Sequence, residues 1–213
     1  MRVKNVIKAI VALCLAVMLL VPMFGCNGGD GEEQFGLPKQ YKNQIYYFQQ
    51  GYKEGWDLIG DPDYKYSIAD EVLVIELKPQ ADADSVRYCV HKMGETQWVP
   101  LTSTLEKVTN LVIDSESELF FNKIAGVREN FAFTTTEYTY EIVNGNQYSV
   151  IPYTFTKDGK DWQGELHILT NSREFFMITF EATKDKYTTY QTEFDDLLGD
   201  FRKIGYESAS NIS

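Results

Sequence analysis

Residues 131–182 constrain the fold more than any other part of this 213-residue chain. Four β-type runs there are separated by turn signals. Asn144-Gly145 is the strongest two-residue hairpin signal, because both positions tolerate positive φ. Asp158-Gly159 marks a second turn and Asn171-Ser172 a third. Trp162, Leu166 and Ile168 alternate with Gln163, Glu165 and His167, and Phe176, Ile178, Phe180 and Ala182 alternate in the last run. The pattern predicts a four-stranded antiparallel meander. Phe131 and Phe133 fall out of phase with Tyr138, Tyr140 and Ile142, so a bulge or break is expected within residues 134–137. Pro152 has no N–H to give a ladder, which places it at an edge or a bulge.

The flanking sequence adds strands and helices. Residues 45–48 and 51–59 read as strands, the second holding Trp56 after Gly55. Asp61-Pro62-Asp63 reads as a turn. Residues 71–77 and 86–92 read as further strands. Ser103 and Glu106 form a capping-box pattern, and Leu101, Leu105, Val108 and Val112 fall on one face, which predicts a helix over residues 101–113. Ser115 and Glu118 repeat the pattern and predict a second short helix. Tyr187, Tyr190, Phe194, Leu197, Leu198 and Phe201 step by three or four residues onto one face, which predicts a closing helix over residues 187–204 stopped by Gly205.

The N-terminus reads as a leader rather than as fold. Arg2, Lys4 and Lys8 precede an uncharged apolar run over residues 9–21. That run suits a secretory signal and is shorter than the roughly 20 residues of a spanning helix. Met23-Phe24-Gly25-Cys26 resembles the bacterial lipobox, with Phe24 bulkier than the usual residue there. The expectation is a signal peptide over residues 1–25, cleavage before Cys26, and anchoring of the mature protein by acyl chains such as palmitate on Cys26. Residues 26–40, rich in glycine and acid, read as a flexible tether; a random coil of this kind spans roughly 20 Å. One folded domain is expected over residues 41–205, followed by a fraying tail over 206–213.

The chain carries 20 basic and 31 acidic residues, a net charge of −11. The leader holds three of the basic residues and none of the acidic ones, so its removal deepens the charge to −14. Such a surface argues against nucleic acid, which needs a basic footprint.

Chemistry-bearing residues are sparse. With Cys14 in the leader and Cys26 acylated, Cys89 stands alone, so no disulfide forms within the domain. It reads as a small packed residue; a reactive thiol needs a depressed pKa that nothing nearby supports. His91 and His167 lie in separate strand patterns without a second ligand at metal spacing. No nucleophile elbow or glycine-rich phosphate loop occurs. Asp82 with Asp84, and Asp61 with Asp63, are acid pairs able to contribute to calcium ligation, but neither sits in a full calcium-loop pattern. Asp158 and Asp161 are explained by a hairpin turn. No catalytic residue, metal or cofactor is therefore expected. The tyrosines are ambiguous. Tyr46, Tyr47, Tyr52, Tyr64 and Tyr66 crowd the early strands, and Tyr138, Tyr140, Tyr148 and Tyr153 crowd the meander. Sheet packing explains such residues, and so does a recognition surface.

Gly55-Trp56, Gly164-Glu165-Leu166 after Trp162, and Phe176-Met177-Ile178-Thr179-Phe180-Glu181-Ala182, followed by Tyr190, Phe194, Leu197-Leu198 and Phe201, resemble the PsbP-like family over residues 41–204. Asp200 stands where many members have serine. The resemblance implies an α+β fold, a central antiparallel sheet with helices on both faces in an α/β/α sandwich. Plant members are extrinsic subunits that organise the oxygen-evolving complex, and related domains bind protein partners. The resemblance thus implies binding or assembly. The leading expectation is a membrane-tethered, non-catalytic module with a protein partner in the cell envelope. A lipoprotein that binds a solute, glycan or metal is the alternative, and a carboxylate-based hydrolase a lesser one.

Overall fold

Turn chemistry at two dipeptides sets the spine of the structure. A computed structural model describes residues 36–44, 46–59, 71–93, 104–113, 129–135, 137–171 and 174–204. Asn144 and Gly145 have φ of 49° and 74°, and Asp158 and Gly159 have 53° and 70°. Two consecutive positive φ values match the twist of the strands they join. They connect β7 (Thr139–Val143) to β8 (Asn146–Lys157), and β8 to β9 (Lys160–Asn171). β10 (Glu174–Thr183) then pairs antiparallel with β9.

The expected break in the first run is present. The run divides into β6 (Glu129–Phe133) and β7, and both pair with β8. Phe133 lies opposite Tyr153 and Tyr140 opposite Ser149, so the break returns both halves to one face. Pro152 sits at that gap. Its carbonyl accepts the Thr134 N–H at 3.0 Å, so its nitrogen, which carries no hydrogen, faces the interruption as well. A central strand thus tolerates proline because its partner stops there.

The sheet extends beyond the meander. β3 (Trp56–Ile59), β4 (Glu71–Pro79) and β5 (Val86–Met93) continue it through β5–β10 pairing. Eight strands result, in the order β3-β4-β5-β10-β9-β8-β6, with β7 beside β6 on β8. A second sheet runs β1-β2-β11, from β1 (Lys39–Asn43), β2 (Phe48–Tyr52) and β11 (Phe201–Lys203). All described pairings are antiparallel.

Two described helices, α1 (Leu105–Ile113) and α2 (Tyr187–Gly199), lie on opposite faces of the large sheet. α1 seats Val108 and Val112 against Ile151, Leu166 and Ile168, and Thr109 Oγ1 lies 2.6 Å from Ser149 Oγ. The Thr104 hydroxyl accepts the Lys107 N–H at 3.2 Å, so the described cap is Thr104. Ser103 and Leu101 lie outside the described residues, as does the expected helix at 115–121. On the other face Phe194 of α2 stacks on Phe180 at 4.7 Å and meets Tyr88 at 5.8 Å. The small sheet shares that face: Phe48 and Phe201 pack with Phe176 at centroid distances of 5.7 and 5.3 Å. Among the described residues the protein is thus mostly antiparallel sheet with one helix on each face of the large sheet, a sheet-rich fold rather than a clear α/β/α sandwich.

Three local expectations are corrected. The closing helix ends at Gly199, and Phe201 begins a strand beside Gln50 of β2. The Asp200 N–H caps the last turn at Asp196 O and Leu197 O, and side chains take further bonds: Gln50 Nε2 donates to Leu197 O at 2.7 Å, and Asn144 and Arg202 donate to Gly199 O. Gly205, the expected stop, lies outside the described residues. Residues 46–47 form a turn between β1 and β2 rather than a strand over 45–48. Asn43 Oδ1 accepts the Tyr46 N–H at 2.8 Å, and Tyr47 has a φ of 54°. The folded part also begins earlier than residue 41. Lys39 is already in β1, and the N–H groups of Gly36 and Leu37 donate to the Asp200 carboxylate. Cys26, residues 1–35 and the tail at 206–213 lie outside the described residues.

Candidate interaction surface

The residues able to do chemistry are sequestered. Cys89 is 4% exposed, and burial pushes its thiol up to about 12. A thiol raised in this way stays protonated at neutral pH. His91 and His167 are buried on opposite faces of the large sheet. His91 lies opposite Met177, which packs on the α1 side, whereas the His167 ring meets Phe194 of α2 at 5.0 Å. They cannot share a ligand. Among the described residues no three His, Cys, Asp or Glu side chains gather as metal ligands.

The acid pairs separate in the same way. Asp82 accepts the Tyr190 hydroxyl at 2.7 Å and the Lys186 ammonium at 2.9 Å, so it pins α2 to the β4–β5 turn, while Asp84 is exposed. Asp158 lies in the β8–β9 turn. Asp61 and Asp63 lie outside the described residues.

One buried carboxylate escaped the sequence reading. Tyr153, Gly164, Glu181 and Arg87 are consecutive register partners across β8, β9, β10 and β5. Glu181 is fully buried. The Tyr153 hydroxyl donates to Glu181 Oε1, and Arg87 Nε donates to Oε2 at 2.5 Å. A Cβ on Gly164 would lie 2.7 Å from the Phe180 carbonyl oxygen and 2.8 Å from Tyr153 Cζ. Glycine therefore leaves the trough across which Tyr153 reaches the acid. Burial opposes the Arg87 charge, but Glu181 more than offsets it and holds the guanidinium protonated. With both carboxylate oxygens engaged, the cluster is a fixed structural ion pair.

Among the described residues, β7 forms an edge with large apolar side chains open to solvent, as is Ile59 of β3. Tyr140 is 48% exposed and Ile142 76%. Tyr138 packs edge-on to Tyr140 at 5.5 Å, and a hydrogen bond with Tyr140 followed by burial pushes the Tyr138 hydroxyl up to about 12. The tyrosines thus divide. Tyr148 and Tyr153 are fully buried and Tyr46 is 5% exposed, so they are core, whereas Tyr140 is exposed with Ile142 on β7 and Tyr138 lies half-buried beside them against the core. Tyr64 and Tyr66 lie outside the described residues. Repeating tyrosine signalled this group in the sequence, but alternation alone could not separate an edge from a centre.

Acidic groups surround this edge. Glu137 is exposed beside Tyr138, and Glu106 of α1 adds to the upward push on the Tyr138 hydroxyl. On the opposite face Glu141 Oε2 lies 3.8 Å from His167 Nε2, a pairing that holds the carboxyl below its usual range. Burial and then the Glu141 charge push Asp195 of α2 upward. A shallow depression of about 350 Å³ lies on the outer side of α1, lined by Thr104, Glu106, Lys107, Asn110 and Leu111. It is open and lacks converging buried polar groups, unlike an enclosed small-molecule site.

No protein-family model matches the chain, and no curated protein sequence matches it. Solved structures do. Cyanobacterial PsbP (CyanoP) from Synechocystis sp. PCC 6803 superposes with a TM-score of 0.51 at 12% identity, covering 84% of this chain and 99% of that one. A protein from Bacteroides thetaiotaomicron VPI-5482 superposes with a TM-score of 0.50 at 9% identity over 79% of this chain, which spans 49% of that longer one. LpqN, involved in cell envelope biogenesis of Mycobacterium tuberculosis, matches with a TM-score of 0.46 at 11% identity, over 74% of this chain and 83% of that one. At these identities the first two show the fold alone: the chain has a PsbP-like fold. Among the described residues no helix is long and apolar enough to cross a membrane.

Proposed function

We propose that the protein is a non-catalytic binding or assembly module, displayed outside the cytoplasm and held to a membrane by acyl chains on Cys26. The observation that carries this reading is the contrast between its interior and its β7 edge. Cys89, His91, His167 and Glu181 are buried and separated or mutually satisfied, whereas Tyr140 and Ile142 stand open on a strand edge. Aromatic and aliphatic side chains exposed in a row are the material of protein recognition. The lipobox-like Met23-Phe24-Gly25-Cys26 and the resemblance to PsbP-like domains point the same way. The partner is an envelope protein, and the acidic chain disfavours nucleic acid.

Two measurements test the reading. Cys26→Ala should release the protein from membranes or leave an uncleaved precursor; a mature-length protein that stays in the membrane fraction refutes the anchor. Photo-crosslinking from surface positions in the native envelope, read by mass spectrometry, should yield adducts with a defined protein. Loss of biological activity in a folded His91, His167 or Cys89 variant of similar side-chain size would instead point to an enzyme or metal site.

A further inference from the structure

Edge strands of soluble proteins carry devices that stop other strands from pairing with them: inserted charges, prolines, bulges or short length. The described edges here follow that rule, with one exception. β1 carries Lys39 and Lys42, and β11 is three residues long with Arg202 and Lys203. β3 is four residues long and bears Asp57. β6 has a register shift between Glu129 and Ala132, with Asn130 at a φ of 53°. β7 pairs with β8 in continuous register through all five residues, without a proline or bulge. Its composition, Thr-Tyr-Glu-Ile-Val, favours strand pairing. Its single charge, Glu141, is engaged with His167 on one face, which leaves the Tyr140 and Ile142 face without a charge of its own.

We propose that the outer edge of β7 receives an extended segment of the protein partner as an added strand, and that this segment carries apolar side chains at alternate positions and lysine or arginine at its flanks. The proposal rests on the binding-module reading above and specifies its site and chemistry. Backbone groups of β7 supply the ladder, and Tyr140 and Ile142 supply an apolar strip for alternate side chains. The flanking charge follows from Glu137 and Glu106 around Tyr138, and from Glu141 and Asp195 on the other face. The same acids disfavour a second copy of this chain. A symmetric β7–β7 pair brings like charges together on a protein whose net charge is already −11.

The test uses the full chain and a synthetic peptide that alternates valine with threonine and ends in lysine at both ends. The peptide should slow hydrogen exchange of β7 amides roughly tenfold. An analogue methylated on alternate backbone nitrogens should give no protection, and one ending in glutamate should bind roughly tenfold more weakly. Ile142→Lys should abolish binding while leaving the unfolding midpoint unchanged, because Ile142 is 76% exposed. Equal binding by the methylated analogue, protection elsewhere, or no binding overturns the proposal. In the native envelope a photo-reactive residue is then placed at 142 or, as a comparison, at exposed residue 160 at the start of β9. Adducts from 142 with another protein, lost when the peptide is added, support the β7 site. Adducts only from 160 overturn that site and leave the binding module standing, and adducts from neither overturn both. Adducts of 142 with this chain itself assign the edge to a second copy and overturn the proposal.

Discussion

Asp200 Oδ2 accepts the backbone N–H of Leu37 at 2.6 Å, joining residues 163 positions apart in the chain. Oδ1 accepts the Gly36 N–H at 3.1 Å, and the Asp200 carbonyl accepts the Gly51 N–H at 3.1 Å. One residue thus ends α2, anchors β2 and fastens the start of the folded chain. The fit depends on Gly51, where a Cβ would lie 2.6 Å from Asp200 Oδ2 and 2.8 Å from its Cβ.

Two variants test this junction. Asp200→Ala leaves the Gly36 and Leu37 donors without their acceptor and should destabilise the fold by about 1–3 kcal/mol. Gly51→Ala should cost about the same by displacing the Asp200 side chain. In both, hydrogen exchange at residues 36–39 should accelerate more than in β9 and β10. Uniform acceleration throughout the sheet would show that Asp200 does not hold the N-terminal segment locally.

The same junction shows why the end of the closing helix was not legible. Phe194, Leu197, Leu198 and Phe201 keep helical spacing through Gly199, and Phe201 is buried as that spacing predicts. It reaches the core as the first residue of β11, and the groups that end the helix are the Asp200 N–H together with the side chains of Gln50, Asn144 and Arg202. A periodicity window does not see acceptors filled from other parts of the chain. The hairpins were legible for the opposite reason: Asn144-Gly145 and Asp158-Gly159 carry their conformational preference within two residues. At 45–48 the β-forming Ile-Tyr-Tyr-Phe outweighed Asn43, whose side chain sets the turn. At the candidate surface, the row of tyrosines was visible but its edge position was not, because that position depends on which strand pairs with β8.

Gly164 offers a sharper test of the interior. Gly164→Ala should destabilise the protein by about 2–4 kcal/mol, because the new methyl meets the Phe180 carbonyl and the Tyr153 ring with the sheet backbone on either side. Tyr153→Phe should cost about 1–3 kcal/mol by withdrawing a donor from the buried Glu181. If the glycine acts by keeping Tyr153 on Glu181, the double variant should cost less than the two single costs added together. Full additivity in denaturant unfolding would assign the Gly164 cost to its contacts with the Phe180 carbonyl and the aromatic ring rather than to the Tyr153–Glu181 hydrogen bond.

Cys89 should resist alkylation while the protein is folded. Its thiol sits at about 12 through burial, so the thiolate is scarce at pH 8. Differential labelling should find Cys89 unmodified in the native protein and fully modified after denaturation. Rapid native labelling would reveal a thiolate that the packing of Cys89 beside Thr179 and Glu76 does not provide.

Acid sensitivity should be traceable to the contact between α2 and the β4–β5 turn. The Tyr190 hydroxyl, followed by Lys186, holds the Asp82 carboxyl below its ordinary 3.8. Its stabilising contribution is therefore complete above the unfolded pKa and is lost as pH falls through the lower folded value. Lys186 is shifted the other way, above 10.5, chiefly by its hydrogen bond to Asp82. Its contribution is complete below the unfolded value and is lost as pH rises through the folded one. The pair thus supports the fold across the interval between those limits. Carboxyl NMR should place Asp82 below 3.8, and Tyr190→Phe should move it upward only partway, since Lys186 still donates at 2.9 Å. In that variant the acid-side loss of stability between pH 4 and pH 2 should shrink, because less of the Asp82 shift remains to be lost. An unchanged Asp82 titration in the folded variant would refute the role assigned to the Tyr190 hydroxyl.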